Sequence, residues 1–188
     1  TSNLITLDNS GVVDLAGNTG TGTTISNNYS IDTQRPTATI VVSDTALHIG
    51  QTSLVTVTFS EAVTGFTNAD LTINNGTLSA VSSADGGITW TAILTPAANI
   101  SDTSNLITLD NSGVADAAGN AGTSTTDSNN YSIDTQRPTA TVVVSDPALS
   151  IGETSVVTIT FSEAVTGFTL ADLSVNNGSL SNLTTSDN

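Results

Sequence analysis

The chain has 188 residues, with 17 Asp and Glu against two Lys and Arg, and a formal net charge of −15. Both cations are arginines, Arg35 and Arg137, and without a basic face to neutralise phosphates nucleic-acid binding is excluded. Hydrophobic residues make up 37% of the sequence, too many for a disordered acidic tail; no apolar run approaches the ~20 residues of a membrane-spanning helix, and the lack of Cys removes disulfides and thiol chemistry.

The chain opens without Met and without a charged, then apolar leader, and reads as a segment from inside a longer protein. With no disulfide to staple the fold, bound metal is the alternative. Asp and Glu are hard oxygen ligands that suit Ca²⁺ rather than Zn²⁺. The single His, His48, is replaced by Ser150 in the second copy of its segment and reads as a surface residue.

Internal repetition governs the rest. The run beginning at Thr1 (TSNLITLDNSG) returns at Thr103, the run from Asn27 (NNYSIDTQRPTAT) at Asn129, and the run from Phe59 (FSEAVTGFT) at Phe161, each offset by 102 residues. That period is too long for a solenoid coil and matches a whole small domain. Asp-Thr-Gln-Arg-Pro-Thr, at Asp32–Thr37 and Asp134–Thr139, reads as the linker, because Pro36 and Pro138 fix φ and extend the preceding residue. The cut gives the C-terminal part of one repeat (1–34), a complete repeat (35–136) and the N-terminal part of the next (137–188). The outer pieces lack a counterpart of Ile88–Ser101 and are expected to be incomplete sandwiches. Their open strand edges invite pairing between truncated repeats of different chains.

Within the complete repeat, Thr39–Ser43 is β-branched and apolar, a first strand. Val55, Val57 and Phe59 alternate with Thr56 and Thr58, a half-buried second strand. Asn75-Gly76 between Asp70–Ile73 and Thr77–Val81 predicts a tight hairpin, repeated at Asn177-Gly178. After a turn at Asp85-Gly86-Gly87, Ile88, Trp90, Ala92 and Leu94 alternate with Thr89, Thr91 and Thr95. Leu106–Leu109 and Asn130–Ile133 complete the set, with Trp90 plugging the core. About seven short strands in ~100 residues, separated by turn signals, predict an all-β, immunoglobulin-like Greek-key β-sandwich repeated in tandem.

Threading those strands up and down brings Asp32, Glu61, Asp70, Asp85, Asp110, Asp116 and Asn120 to one pole beside the domain junction. Asp44 and Asp102 fall at the other. Asp14, Asn18, Asp134, Glu163 and Asp172 are the copies of Asp116, Asn120, Asp32, Glu61 and Asp70. So many carboxylates in a chain without Lys repel one another, and a Ca²⁺ taking six to eight oxygens would turn that repulsion into a clamp. The structural alternative is that Asp-x-x-Gly-Asn and Asp70 simply cap turns.

The segments FSEAVTGFTNADLTINNGTLS, VADAAGNAGT and YSIDTQRPTATV resemble the bacterial immunoglobulin-like repeats of giant Gram-negative surface adhesins and biofilm-associated proteins, and the resemblance covers essentially the whole chain. It implies an extracellular location on the bacterial cell surface, type I secretion, and Ca²⁺ at or near domain junctions that stiffens an array holding a distant ligand-binding region. It carries over to Asp32/Asp134, Glu61/Glu163 and the Asp-x-x-Gly-Asn loops. The glycine-rich calcium nonapeptides of such proteins do not occur in this segment.

The leading expectation is therefore a structural extender whose partners are neighbouring repeats of the same chain, with no membrane insertion by this segment. A module that itself binds a host glycan or protein would need an exposed, often aromatic patch. The aromatics are few, and differences between repeats are scattered (Leu15/Ala117, Ile25/Asp127, Asn68/Leu170). An enzyme is not expected: Cys, Lys, a repeated His and a Gly-x-Ser-x-Gly elbow are all missing.

Overall fold

The structure is a computed structural model that describes residues 2–185. Its regular elements are strands, and its only helical turns among these residues are three-residue 3₁₀ turns such as Asn68–Asp70 and Asn111–Gly113. In the complete repeat one sheet runs in the order Ala38–Val42, Ser53–Phe59, Thr89–Pro96, Gly76–Leu78, with Ser82–Ser83 also paired to Thr89–Pro96. Opposite it are two three-stranded groups. One is Ser101–Asn105, Tyr131–Asp134 and Ala46–His48; the other is Thr125–Asp127, Ile107–Asp110 and Leu71–Ile73. Ala46–His48 runs parallel to Tyr131–Asp134, so the chain leaves one sheet after Val42 and joins the other within a few residues. Asp44 caps that corner by accepting a 3.1 Å bond from the Ala46 amide.

Alternation along the strands builds one core between these layers. Val55, Val57 and Phe59 are buried, as are Ile107, Leu109, Tyr131 and Ile133 facing them. Trp90 is half-buried against this core. It meets Phe66 edge-on at 5.3 Å, Phe66 meets Phe59 in the same way, and its indole N–H donates to the Gly87 carbonyl at 3.1 Å.

Asn75-Gly76 does not make the predicted hairpin. Leu71–Ile73 pairs with Ile107–Asp110, whereas Gly76–Leu78 pairs with Thr89–Pro96. The left-handed Asn75, at φ 57°, instead turns a corner from one sheet to the other. Asn-Gly supplies the φ > 0 that both a hairpin and a corner require, and the partner of each strand is decided by the core. Ile88, expected to face inward, is exposed.

The outer segments repeat the local pairings of the complete repeat. Thr6–Asp8 pairs with Thr23–Ile25 in the register of Thr108–Asp110 on Thr125–Asp127. Ala140–Val144 pairs with Val157–Phe161 as Ala38–Val42 does with Ser53–Phe59. Their apolar faces are open. Ile5 is 66% exposed against 0% for its copy Ile107, and Val142 is 58% exposed against 4% for Ile40. Near-identical local sequence therefore sets the hairpins, and burial comes only where both halves of a repeat are present.

Two outcomes follow from this asymmetry. Ile107→Ala should destabilise the complete repeat by about 2–4 kcal/mol in denaturant unfolding, while Ile5→Ala shifts the same transition by less than ~0.5 kcal/mol; equal effects would contradict the assignment of the core. Residues 137–185 of one copy and 2–34 of another together offer most of what packs in 38–134, lacking a counterpart of Ala84–Thr103. Head-to-tail association through open edges is expected. Sedimentation coefficients should rise with protein concentration, and a single monomeric boundary across the range would refute it.

Candidate metal centre

Three chain segments build one carboxylate group. Glu61 follows the strand Ser53–Phe59 and is half-buried. Asp116 lies in the short strand Ala115–Asp116, held antiparallel on Val63–Thr64 with Asp116 opposite Val63, and is 4% exposed. Asp32 comes from the linker and is exposed. One carboxylate oxygen from each of Asp32, Glu61 and Asp116 lies within 4.8 Å of the others.

The loop after Asp116 shapes itself. Asp116 Oδ1 accepts the Asn120 amide at 2.8 Å and Oδ2 accepts Asn120 Nδ2 at 2.8 Å. Gly119, at φ 89°, supplies the left-handed residue such a tight loop needs. The isolated copy is the same: Asp14 accepts the amides of Ala16 and Asn18 and the Asn18 side chain, with Gly17 at φ 91°. Asp-x-x-Gly-Asn is thus both a turn cap and a presenter of its carboxylate. Asn120 Nδ2 also donates to the Asp32 carbonyl oxygen at 3.2 Å, so Asn120 enters the group as a donor that ties linker to loop.

Electrostatics divide the group. The Asn120 side chain and backbone bonds hold Asp116 below the usual carboxylate range. Glu61 is pushed up, first by burial and then by the charges of Asp116 and Asp32. The one cation nearby does not relieve this: Arg35 Nη1 donates to the Ala121 carbonyl oxygen. Three carboxylates form a hard-oxygen set that fits Ca²⁺ in donor chemistry.

Of the seven residues expected at this pole, the carboxylates of Asp32, Glu61 and Asp116 come within 4.8 Å of one another, and Asn120 bonds Asp116 and the Asp32 carbonyl. Asp70, Asp85 and Asp110 lie outside the three-carboxylate group and are engaged in local caps. Asp70 closes a capping box with Thr67 and packs against the bare Cα of Gly113. Asp85 accepts from Thr89, Ile88 and Ser83, which bring its pKa to about 2. Asp110 caps the turn Asn111–Gly113 through Ser112. In the outer segments Asp172 caps Leu170–Asp172. Asp134 accepts the Gln136 amide, and Glu163 is half-buried. Neither belongs to a three-carboxylate group among the described residues. Asp14 and Asn18 bond each other. Each outer segment carries only part of the set, because its sequence lacks the other half. His48 is exposed, as expected.

A family model described as a bacterial Ig-like domain matches residues 32–133 and again residues 134–188. The chain belongs to this family of bacterial Ig-like domains. Neither a curated protein nor a solved structure matches it. Both matched segments begin at the linker aspartate, Asp32 or Asp134, and in the first bacterial Ig-like repeat that aspartate supplies one of the three clustered carboxylates.

Sequence reading missed the part played by Arg35. The available signal was that each repeat has one cation, always beside the linker proline. The raised pKa of Glu61 gives a signed prediction. A carboxyl whose folded pKa lies above its unfolded value binds its proton more readily in the folded state, so its stabilising effect is present at low pH and is lost as pH rises through the folded pKa. In chelator at pH 7, Glu61→Gln should therefore raise the melting temperature, and the gain should disappear below the unfolded value near pH ~4. A lower melting temperature for Glu61→Gln at pH 7 in chelator would show that the three charges do not oppose folding.

Proposed function

We propose that the chain is an extender segment in the stalk of a bacterial cell-surface adhesin, and that Ca²⁺ at each junction stiffens the array for adhesion or biofilm formation. The carrying observation is that Asp32, from the linker, meets Glu61 and Asp116 of the following repeat within 4.8 Å. A divalent cation bound there has ligands on both sides of the junction, so binding resists bending between repeats. Near-identical repeats suit a spacer, which needs length rather than a unique recognition surface. Membership of the bacterial Ig-like family and the tandem match support an extracellular, cell-surface setting, and the role is structural rather than enzymatic.

Asp32, Glu61 and Asp116 would hold the ion, with Asn120 fixing the loop and the Asp32 backbone. The ion supplies charge neutralisation and oxygen coordination. At a second junction Asp134 and Glu163 would play the parts of Asp32 and Glu61. A cation that binds only the folded state raises its stability by mass action. Millimolar Ca²⁺ should raise the melting temperature of the intact chain above its value in chelator, and Glu61→Gln combined with Asp116→Asn should erase the difference. An identical melting temperature with and without Ca²⁺ would leave the acidic pole a solvated surface and the chain a passive spacer.

A further inference from the structure

The two copies of the linker sit in complementary contexts, and together they show both of its ends. In the first copy the downstream end is fastened to the repeat that follows. Arg35 Nη1 donates to the Ala121 carbonyl, Asn120 Nδ2 donates to the Asp32 carbonyl at 3.2 Å, and Pro36 is buried. Thr37 and Ser60 then exchange two bonds, from the Thr37 amide to Ser60 Oγ at 3.0 Å and from the Ser60 amide to the Thr37 carbonyl at 2.9 Å. In the second copy, where residues 137–185 hold no counterpart of the loop 116–121, Pro138 is exposed.

The second copy shows the upstream end. Thr135 is 7% exposed. Its Oγ1 donates to the Ala97 carbonyl at 2.7 Å and accepts the Ile100 amide at 3.0 Å, while its own amide donates to the Ile100 carbonyl at 2.7 Å. Asp134 is still within the strand Tyr131–Asp134 and pairs with Ser101. In the first copy the sequence ahead of Thr33 holds no counterpart of Ala97–Ile100, and Thr33 is exposed. In both copies the linker aspartate accepts the amide of the Gln two residues on, at 3.1 and 3.2 Å, so the linker turns in the same way whichever end is held.

We propose that between two complete repeats the Asp-Thr-Gln-Arg-Pro linker is a two-sided latch. Its Asp-Thr half is stitched into the preceding repeat through the Ala97–Ile100 loop, its Arg-Pro half is stitched onto the following repeat through the loop at Asn120 and Ala121, and the Gln is the one residue held by neither. The interaction surface at each repeat's acidic pole is therefore a receptor for the tail of another copy of itself. The latch goes beyond the cation reading, since the Arg35 and Thr135 contacts use no carboxylate. It also presents Asp32 to Glu61 and Asp116, which makes Arg35 a positioning residue for the cation.

The native chain has no Cys, so paired nitroxide labels at Thr33→Cys and Thr77→Cys report the first linker against its repeat in the intact chain. A pair at Gln136→Cys and Thr77→Cys reports the second. In chelator both distance distributions should be narrow. Arg35→Ala should broaden the first roughly twofold, as a freed linker samples coil-like distances, and Thr135→Val should broaden the second. Unchanged Trp90 fluorescence confirms that the repeat itself stays folded in each variant. Distributions that are broad in chelator and narrow only with Ca²⁺ would overturn the latch while leaving the cation reading intact. Narrow distributions unmoved by Arg35→Ala and Thr135→Val would overturn the assignment to these residues. A chain that shows the latch but no response to Ca²⁺ would instead sink the cation reading alone.

Discussion

Three carboxylates brought within 4.8 Å of one another, in a chain with no lysine, set the terms for the rest of this molecule. Burial first, and then the charges of Asp116 and Asp32, raise the pKa of Glu61, while Asn120 bonds hold that of Asp116 down. The sole neighbouring cation, Arg35, is directed to a main-chain carbonyl instead. Folding on its own could relieve the repulsion by spreading the charges apart, yet the pairing of Ala115–Asp116 with Val63–Thr64 holds Asp116 opposite Val63, two residues beyond Glu61. The linker bonds bring the third.

That arrangement connects the sandwich to a mechanical role. The core between the sheets makes each repeat a stiff unit, and interdigitated packing of Val55, Val57, Phe59, Ile107 and Leu109 leaves it little freedom to deform. Bending must then be concentrated in the six linker residues. Five of them are held by hydrogen bonds or burial in one copy or the other. A cation across Asp32, Glu61 and Asp116 would add a charge-dependent lock to a joint that the latch already narrows, which suits an array that must stand away from a surface.

Much of the fold was legible in the sequence. The 102-residue repeat, the alternation at Val55, Val57 and Phe59, and the turn at Asp85-Gly86-Gly87 all mark features the structure contains. Asn75-Gly76 was misread because a hairpin and a sheet-to-sheet corner need the same left-handed residue, and only the long-range pairing of Leu71–Ile73 with Ile107–Asp110 distinguishes them. The site was legible in part, for a similar reason. Asp70, Asp85 and Asp110 look like ligands in sequence, but a carboxylate that caps amides two to four residues away carries the same local signature. Asp116 differs in that its loop is also docked by the linker, a contact 88 residues apart in sequence. Thr135 gave no signal, since a buried linker threonine is indistinguishable from the many strand threonines around it.

The claim at the centre of this account is that a cation is shared across the junction rather than held by one repeat. Isothermal titration of Ca²⁺ into the intact chain and into Asp32→Asn tests it directly. The account predicts saturable binding by the native chain and a large loss of affinity in Asp32→Asn, whose changed residue lies in the linker and outside the core of the repeat. Native-like binding by Asp32→Asn would mean that the linker contributes no ligand and that the ion, if bound, clamps nothing.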